Sequence, residues 1–221
     1  MQLIKRWFKK GFMLQAAAVC ALAVPITAAQ AALVTYSFTG SLDNPSSPLL
    51  VSGSFQFENA TSGSSGVYNG AVTAFTLKFG PVGAAIYESS FIPGANAVTI
   101  SQNVPMMGGG IVDRWALVTA ATGGEISGST PFNFDLRLDH KDGGLFTDTS
   151  LQDPPSLSNL TTGRWRLIFE NANGVPSAYL GSINNLTAVP LPAAVLLFGA
   201  GLISLVGLGA GGLRNLRGSK A

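Results

Sequence analysis

The residue best suited by type to acid–base chemistry is His140, the only histidine of the 221-residue chain. A histidine acting as a general base needs a nucleophile and an orienting acid, and the sequence has no G-x-S-x-G motif that would present a serine. His140 lies in segment 139–144, whose Asp-Gly pair favours a hairpin turn because glycine adopts positive φ. We therefore interpret His140 as a polar residue beside a turn, and the sequence predicts no catalytic residue and no enzymatic activity.

Clustered carboxylates are the next candidates, because carboxylate oxygens are preferred ligands of calcium. Asp135 and Asp139 are expected to share a strand face, and Asp142 and Asp148 follow them. Their spacing matches no EF-hand loop, and a solvated strand face explains them equally well. The sequence predicts no metal or cofactor site and leaves open whether calcium binds near residues 135–148. The glutamates are scattered and suggest no glycosidase pair; they are Glu58, Glu88, Glu125 and Glu170.

The elements that carry these side chains are predicted to be β-strands, because apolar and polar residues alternate with a period of two. The clearest apolar sets are Val34, Tyr36 and Phe38; Val51, Phe55 and Phe57; Phe75, Leu77 and Phe79; Phe132, Phe134, Leu136 and Leu138; and Trp165, Leu167 and Phe169. Weaker strand candidates cover residues 84–89, 97–101, 111–118 and 179–188. No amphipathic helix is predicted between residues 32 and 188.

About nine short strands, each with one apolar face, favour two antiparallel sheets packed face to face. The predicted fold is all-β, a jelly-roll-like antiparallel β-sandwich over residues 32–188, with a closed barrel as the alternative. Trp165 is expected in the core, and Trp115 is expected to be more open. Residues 186–190 are predicted to form a short linker after the last strand.

The first 31 residues have the pattern of a secretory signal peptide. A short apolar segment, residues 11–26, is followed by the small residues Ala29 and Ala31 at the spacing that signal peptidase accepts. We predict cleavage after Ala31, which also removes the single cysteine, Cys20. A membrane-spanning helix is the alternative for this segment. The positive residues that precede the apolar segment are Lys5, Arg6, Lys9 and Lys10.

An uncharged apolar run of 21 residues extends from Ala193 to Leu213. At about 1.5 Å per residue, a helix of this length crosses the roughly 30 Å hydrocarbon core of a membrane. The cations Arg214, Arg217 and Lys220 follow the run and favour retention of this end on the cytoplasmic side. The residues before Ala193 are thus predicted to lie outside the cytoplasmic membrane.

The charge distribution argues against nucleic-acid binding. All 11 acidic residues lie between residues 32 and 189, with only six of the 13 lysines and arginines, so that this part carries a net charge of about −5. The excess cations lie in the two terminal segments, where they set membrane topology. No basic stripe for nucleic acid is therefore predicted in the β domain.

A proline box, Val189-Pro190-Leu191-Pro192, directly precedes the apolar run. The box, the span and the basic tail together resemble the C-terminal segment of PEP-CTERM proteins in the VPLPA variant, in which Leu191 stands where Glu is usual. The resemblance implies recognition of the box by an integral-membrane exosortase, removal or transfer of the C-terminal segment, and a Gram-negative host that makes extracellular polysaccharide. The alternative is a stiff approach to a plain membrane anchor, since proline favours extended backbone.

The predicted organisation has three parts. A signal peptide covers residues 1–31, the β domain covers 32–188, and the sorting segment covers 189–221, with its box at 189–194, its helix at 193–213 and its basic tail at 214–221.

The predicted function is that of an exported, non-catalytic cell-surface or extracellular-matrix protein. Its precursor is expected to be anchored in the inner membrane, and its predicted partners are signal peptidase, an exosortase-like membrane protease and extracellular polysaccharide. Two other classes stay open at this stage, a carbohydrate-binding β-sandwich module and a secreted hydrolase.

Overall fold

The computed structural model describes residues 33–43, 49–80 and 84–190. Nine β-strands and one short 3₁₀ turn, Leu157–Asn159, lie within these residues. The strands are β1 Leu33–Leu42, β2 Leu50–Glu58, β3 Val67–Asn69, β4 Val72–Phe79, β5 Tyr87–Pro105, β6 Ile111–Gly123, β7 Ser129–Lys141, β8 Thr162–Asn171 and β9 Pro176–Val189. The prediction of an all-β domain is confirmed.

The structure differs from the predicted strands in two details. The separate candidates at residues 84–89 and 97–101 belong to one strand of 19 residues, β5. Phe132 was predicted on the apolar face with Phe134, but its side chain is 41% exposed. The register between β7 and β8 shifts between Pro131 and Asn133, and such a bulge reverses which face the residues before it occupy.

The predicted β-sandwich is wrong, because the strands form one closed antiparallel barrel. Eight strands are hydrogen-bonded in the order β5-β4-β2-β1-β9-β8-β7-β6, and β6 pairs again with β5. The remaining strand, β3, pairs with β5 alone. Alternation along a strand predicts one buried face, and a sandwich and a barrel both satisfy that requirement.

Strand β5 closes the barrel because it is long enough to pair with two neighbours along different parts of its length. Its first residues, 87–90, pair with β4, and residues 89–105 pair with β6. The pairing with β6 shifts register between Phe91 and Asn96 and again between Ser101 and Val104. Bulges of this kind bend and twist a strand, and they provide the curvature that a closed sheet needs.

Aromatic side chains fill the barrel interior, and glycines on neighbouring strands make room for them. Phe38 lies over its cross-strand partner Gly53, and Trp165 lies over its partner Gly181. A Cβ atom at either glycine would collide with the aromatic ring. The largest fully buried side chains are Trp115, Trp165, Phe38, Phe55, Phe57, Phe75, Phe134, Phe169, Leu77, Ile100, Leu117 and Leu136.

The two tryptophans of the barrel both belong to this core. Trp165 is buried as predicted, but Trp115 is 0% exposed, so the expectation of an open Trp115 is wrong. The indole of Trp115 donates to the carbonyl of Gln152 at 3.0 Å, which ties the loop between β7 and β8 to the interior. Tyr68 binds the same loop through the carbonyl of Thr149 at 2.7 Å.

The predicted linker at residues 186–190 is also wrong, because β9 continues to Val189. Val189 pairs with Thr35 of β1, and Leu186 pairs with Phe38. Pairing with β1 keeps this segment extended. The composition of the segment does not show which strand lies beside it, so the pairing could not be predicted from it.

Within residues 33–43, 49–80 and 84–190, no helix has the length and apolar character needed to cross a membrane. The predicted signal peptide with Ala29 and Ala31, the helix at 193–213 and the basic residues Arg214, Arg217 and Lys220 lie outside the described residues, as do Leu191 and Pro192.

Candidate functional site

The predicted sorting residues that the structure describes are Val189 and Pro190, at the end of β9. Because β1 and β9 are antiparallel and Thr35 pairs with Val189, the chain enters the first strand and leaves the last strand at the same end of the barrel. We call this the terminal end. Leu33 and Val189 are both 45% exposed.

His140 is the second-last residue of β7 and contacts the loop between β7 and β8. Its Nδ1 is 2.6 Å from the carbonyl oxygen of Asn159. The backbone N–H of its neighbour Lys141 donates to Thr161 Oγ1 at 2.9 Å. His140 therefore contacts the backbone of the loop between β7 and β8, and it lies beside the turn that the Asp-Gly pair predicted.

A buried carboxylate that the sequence analysis missed lies next to His140 on the neighbouring strand. Asp113 is 0% exposed and is the direct partner of His140. Its Oδ1 accepts the backbone N–H of Asn103 at 2.9 Å, and its Oδ2 accepts those of Leu145 at 2.8 Å and Phe146 at 3.1 Å. The sequence signal was available, because Asp113 shares the inward face of β6 with Trp115 and Leu117.

Burial by itself would raise the pKa of Asp113, but the hydrogen bonds from Asn103, Phe146 and Leu145, with a smaller electrostatic effect of His140, outweigh it and lower the pKa. Asp113 is therefore a charged structural anchor. It joins the bulge of β5 at Asn103 to the loop after β7.

Of the four carboxylates considered for calcium, Asp135 and Asp139 bind arginines and Asp148 binds a loop residue. Asp139 forms a two-pronged ion pair with Arg114, with distances of 2.7 Å to Nε and 2.9 Å to Nη2. This pair raises the pKa of Arg114. Asp148 accepts hydrogen bonds from the backbone and hydroxyl of Ser150. Among the described residues, no group of three or more histidine, cysteine or acidic side chains is arranged to hold a metal ion.

The outer face of β7 and β8 carries an arginine-lined cavity of about 210 Å³. We call it the arginine pocket, and its lining residues are Asp135, Arg137, Arg164, Trp165, Arg166 and Leu180. The strand register brings the arginines together, since Arg137 is the direct partner of Arg164, and Asp135 is the direct partner of Arg166. No basic stripe was visible in the sequence, because Arg137 is separated from Arg164 by 27 positions along the chain and meets it only across two strands.

Asp135 organises the arginine pocket. Its side chain is 6% exposed, and Oδ2 binds Arg166 Nη2 at 2.5 Å, whereas Oδ1 lies 3.3 Å from Arg137 Nε. Arg164 binds Asp43 beyond β1 through Nη2 at 2.5 Å. The guanidinium-bearing side chains of Arg137, Arg164 and Arg166 are 45%, 56% and 38% exposed, so they are held in place and still reach solvent.

A second cavity of about 340 Å³ lies near β3, β5, β6 and β7. Its polar side chains include Asn69, Asn96 and Asn133. The amide of Asn96 is already engaged, since its oxygen accepts the N–H of Val72 at 3.0 Å and its nitrogen donates to the carbonyl of Gly94 at 3.0 Å. This cavity therefore offers fewer free polar groups than its composition suggests.

Comparison with known proteins finds no matching family model, no matching curated protein and no matching solved structure.

Proposed function

We propose that this chain is an exported, non-catalytic surface or matrix protein, sorted by an exosortase-like membrane protease that recognises Val189-Pro190-Leu191-Pro192. Its barrel lies outside the cytoplasmic membrane, first attached through residues 193–213 and then at the cell surface or in the surrounding matrix. Signal peptidase removes residues 1–31. These assignments come from the terminal segments and their resemblance to PEP-CTERM proteins.

The observation that supports this proposal best is the pairing of Thr35 with Val189. It brings the first strand of the barrel and the start of the proline box to the terminal end. This arrangement is compatible with attachment of the precursor to one membrane through the segments before β1 and after β9. Since Val189 is the last residue of β9, the proposed recognition box begins within the barrel's last strand.

The sorting role is tested with the double variant Pro190→Ala, Pro192→Ala. Proline keeps the backbone extended and resists helix formation, so its loss allows the helix of the span to extend into the box. We expect export to continue and an unprocessed form to accumulate in the inner membrane, measured by immunoblot of membrane fractions. Pro176→Ala, at the exposed opposite end of β9, is the matched control and should mature normally. Normal maturation of the double variant would contradict the role of the box.

Export is tested separately with a single introduced thiol. The described residues contain no cysteine, so Asn173→Cys in a Cys20→Ser background places one thiol in the exposed turn between β8 and β9. A membrane-impermeant maleimide should label it in intact spheroplasts. Labelling that requires lysis of the spheroplasts would show that the barrel lies inside, and the export proposal would then be abandoned.

A further inference from the structure

The arginine pocket concentrates positive charge on a domain that is otherwise acidic. Residues 32–189 contain only six lysines and arginines against 11 acidic residues, and three of those six line this one cavity. Asp135 is the single carboxylate among the lining residues, and Asp43 lies at the edge against Arg164. Three guanidinium groups and two carboxylates leave a local charge of about +1, whereas the whole domain carries about −5.

The strand register places two like charges directly opposite each other. Arg137 and Arg164 are cross-strand partners, and like charges at such positions destabilise a sheet. Each guanidinium has five N–H donors, and the described contacts of these two side chains engage one nitrogen each, Arg137 Nε and Arg164 Nη2. An anion bound between the two guanidinium groups would relieve their mutual repulsion and accept hydrogen bonds from N–H donors that are still free.

The pocket is organised before any ligand arrives. The nearly buried carboxylate of Asp135 forms ion pairs with Arg166 and Arg137. A ligand therefore does not have to order these arginine side chains by itself. Preorganisation of this kind increases affinity by lowering the entropic cost of binding. The planar fork of arginine matches a carboxylate in a two-pronged arrangement, which a lysine does not provide.

We propose that the arginine pocket binds the carboxylate of an acidic sugar unit in a polysaccharide. The volume of about 210 Å³ is below the range usual for drug-sized ligands, and it fits one acidic residue of a polymer. Leu180, 44% exposed and part of the lining, offers an apolar contact to the non-charged part of the ring. The inference rests on the proposed export of the barrel, which would place this face in contact with extracellular polymer.

The test uses a tetrasaccharide of galacturonic acid as the probe and the full chain purified in a non-ionic detergent. Titration calorimetry at low ionic strength should show binding to the free acid and none to the fully methyl-esterified tetrasaccharide, which has the same rings without charge. Arg137→Gln and Arg164→Gln should each weaken binding by about tenfold, the effect of losing one charge-assisted hydrogen bond. Neither change leaves Asp135 unpaired, because Arg166 stays in place.

Arg114→Gln is the matched control, because Arg114 lies on the same outer sheet face but binds Asp139 and does not line the pocket. It should bind the probe as the unchanged protein does. Absence of binding, equal binding of the ester, or an equal loss in the Arg114 variant would each overturn the proposal. A polyglutamate peptide that binds as tightly as the tetrasaccharide would overturn the assignment to carbohydrate. Because binding is measured on purified protein, a failure of sorting in cells would leave this result unchanged.

Discussion

At the residue scale, Asp113 is the most deeply buried charged residue that the structure describes, and it accepts three backbone hydrogen bonds. Asp113→Asn keeps the size and shape of the side chain but replaces one carboxylate oxygen with an NH₂ group. That group then faces a backbone N–H donor, either that of Asn103 or those of Leu145 and Phe146. We expect the free energy of unfolding to fall by about 2 kcal/mol, the usual cost of losing a hydrogen bond to a charged group. The free energy of unfolding of both proteins is measured by urea denaturation.

Asp142→Asn is the matched control for this substitution. Asp142 is an exposed aspartate in the following turn with φ of 69°, a conformation that asparagine tolerates well. Its stability should stay close to that of the unchanged protein. An equal fall in the free energy of unfolding for both variants would contradict the proposed role of Asp113 as a structural anchor.

The lowered pKa of Asp113 predicts a pH dependence. A carboxyl group whose pKa is lower in the folded state stabilises the fold above the unfolded pKa of about 4 and loses this contribution as pH falls through the folded pKa. The stability difference between the unchanged protein and Asp113→Asn should therefore be full at neutral pH and shrink below about pH 4. A difference that stayed constant down to acid unfolding would contradict this account.

At the scale of the strands, the pairing of glycine with aromatic residues sets the packing of β8 against β9. Gly181→Ala would bring a methyl group against the ring of Trp165 and the carbonyl oxygen of Ser41. Overpacking of this kind costs about 1–3 kcal/mol, and thermal unfolding should show the loss. Gly124→Ala is the control, since its nearest neighbour would be Tyr87 at 4.0 Å. Equal melting temperatures for the two variants would refute the packing argument.

At the scale of the whole molecule, closure makes β9 indispensable. A stop codon after Pro190 removes residues 191–221 and leaves all nine strands, so cooperative unfolding should persist. A stop codon after Val175 removes β9, leaves β1 and β8 with unpaired edges, and should abolish near-UV circular dichroism and cooperative melting. A two-sheet sandwich that lost an edge strand would keep most of its core, so cooperative melting of the shorter chain would argue against the closed barrel.

The strands themselves could be predicted from the sequence because alternation is a local property. A side chain such as Phe55 or Leu167 points to one face whatever its neighbours are, so the apolar residues of a strand identify its buried side. Aspartate at position 113 on such a face was an equally local signal. The bulge before Asn133, which turns Phe132 outward, was not, because it depends on the pairing with β8.

The sequence by itself determined most of the strand segments, most of the inward-facing residues and where the charges lie along the chain. Only the tertiary structure decided that the sheet closes, that β9 carries Val189 to the side of Thr35, and that Arg137 meets Arg164. The physical reason is that closure and register depend on hydrogen bonds between residues far apart in the chain. Alternation with a period of two is the same for every set of strand neighbours, so it cannot select one of them.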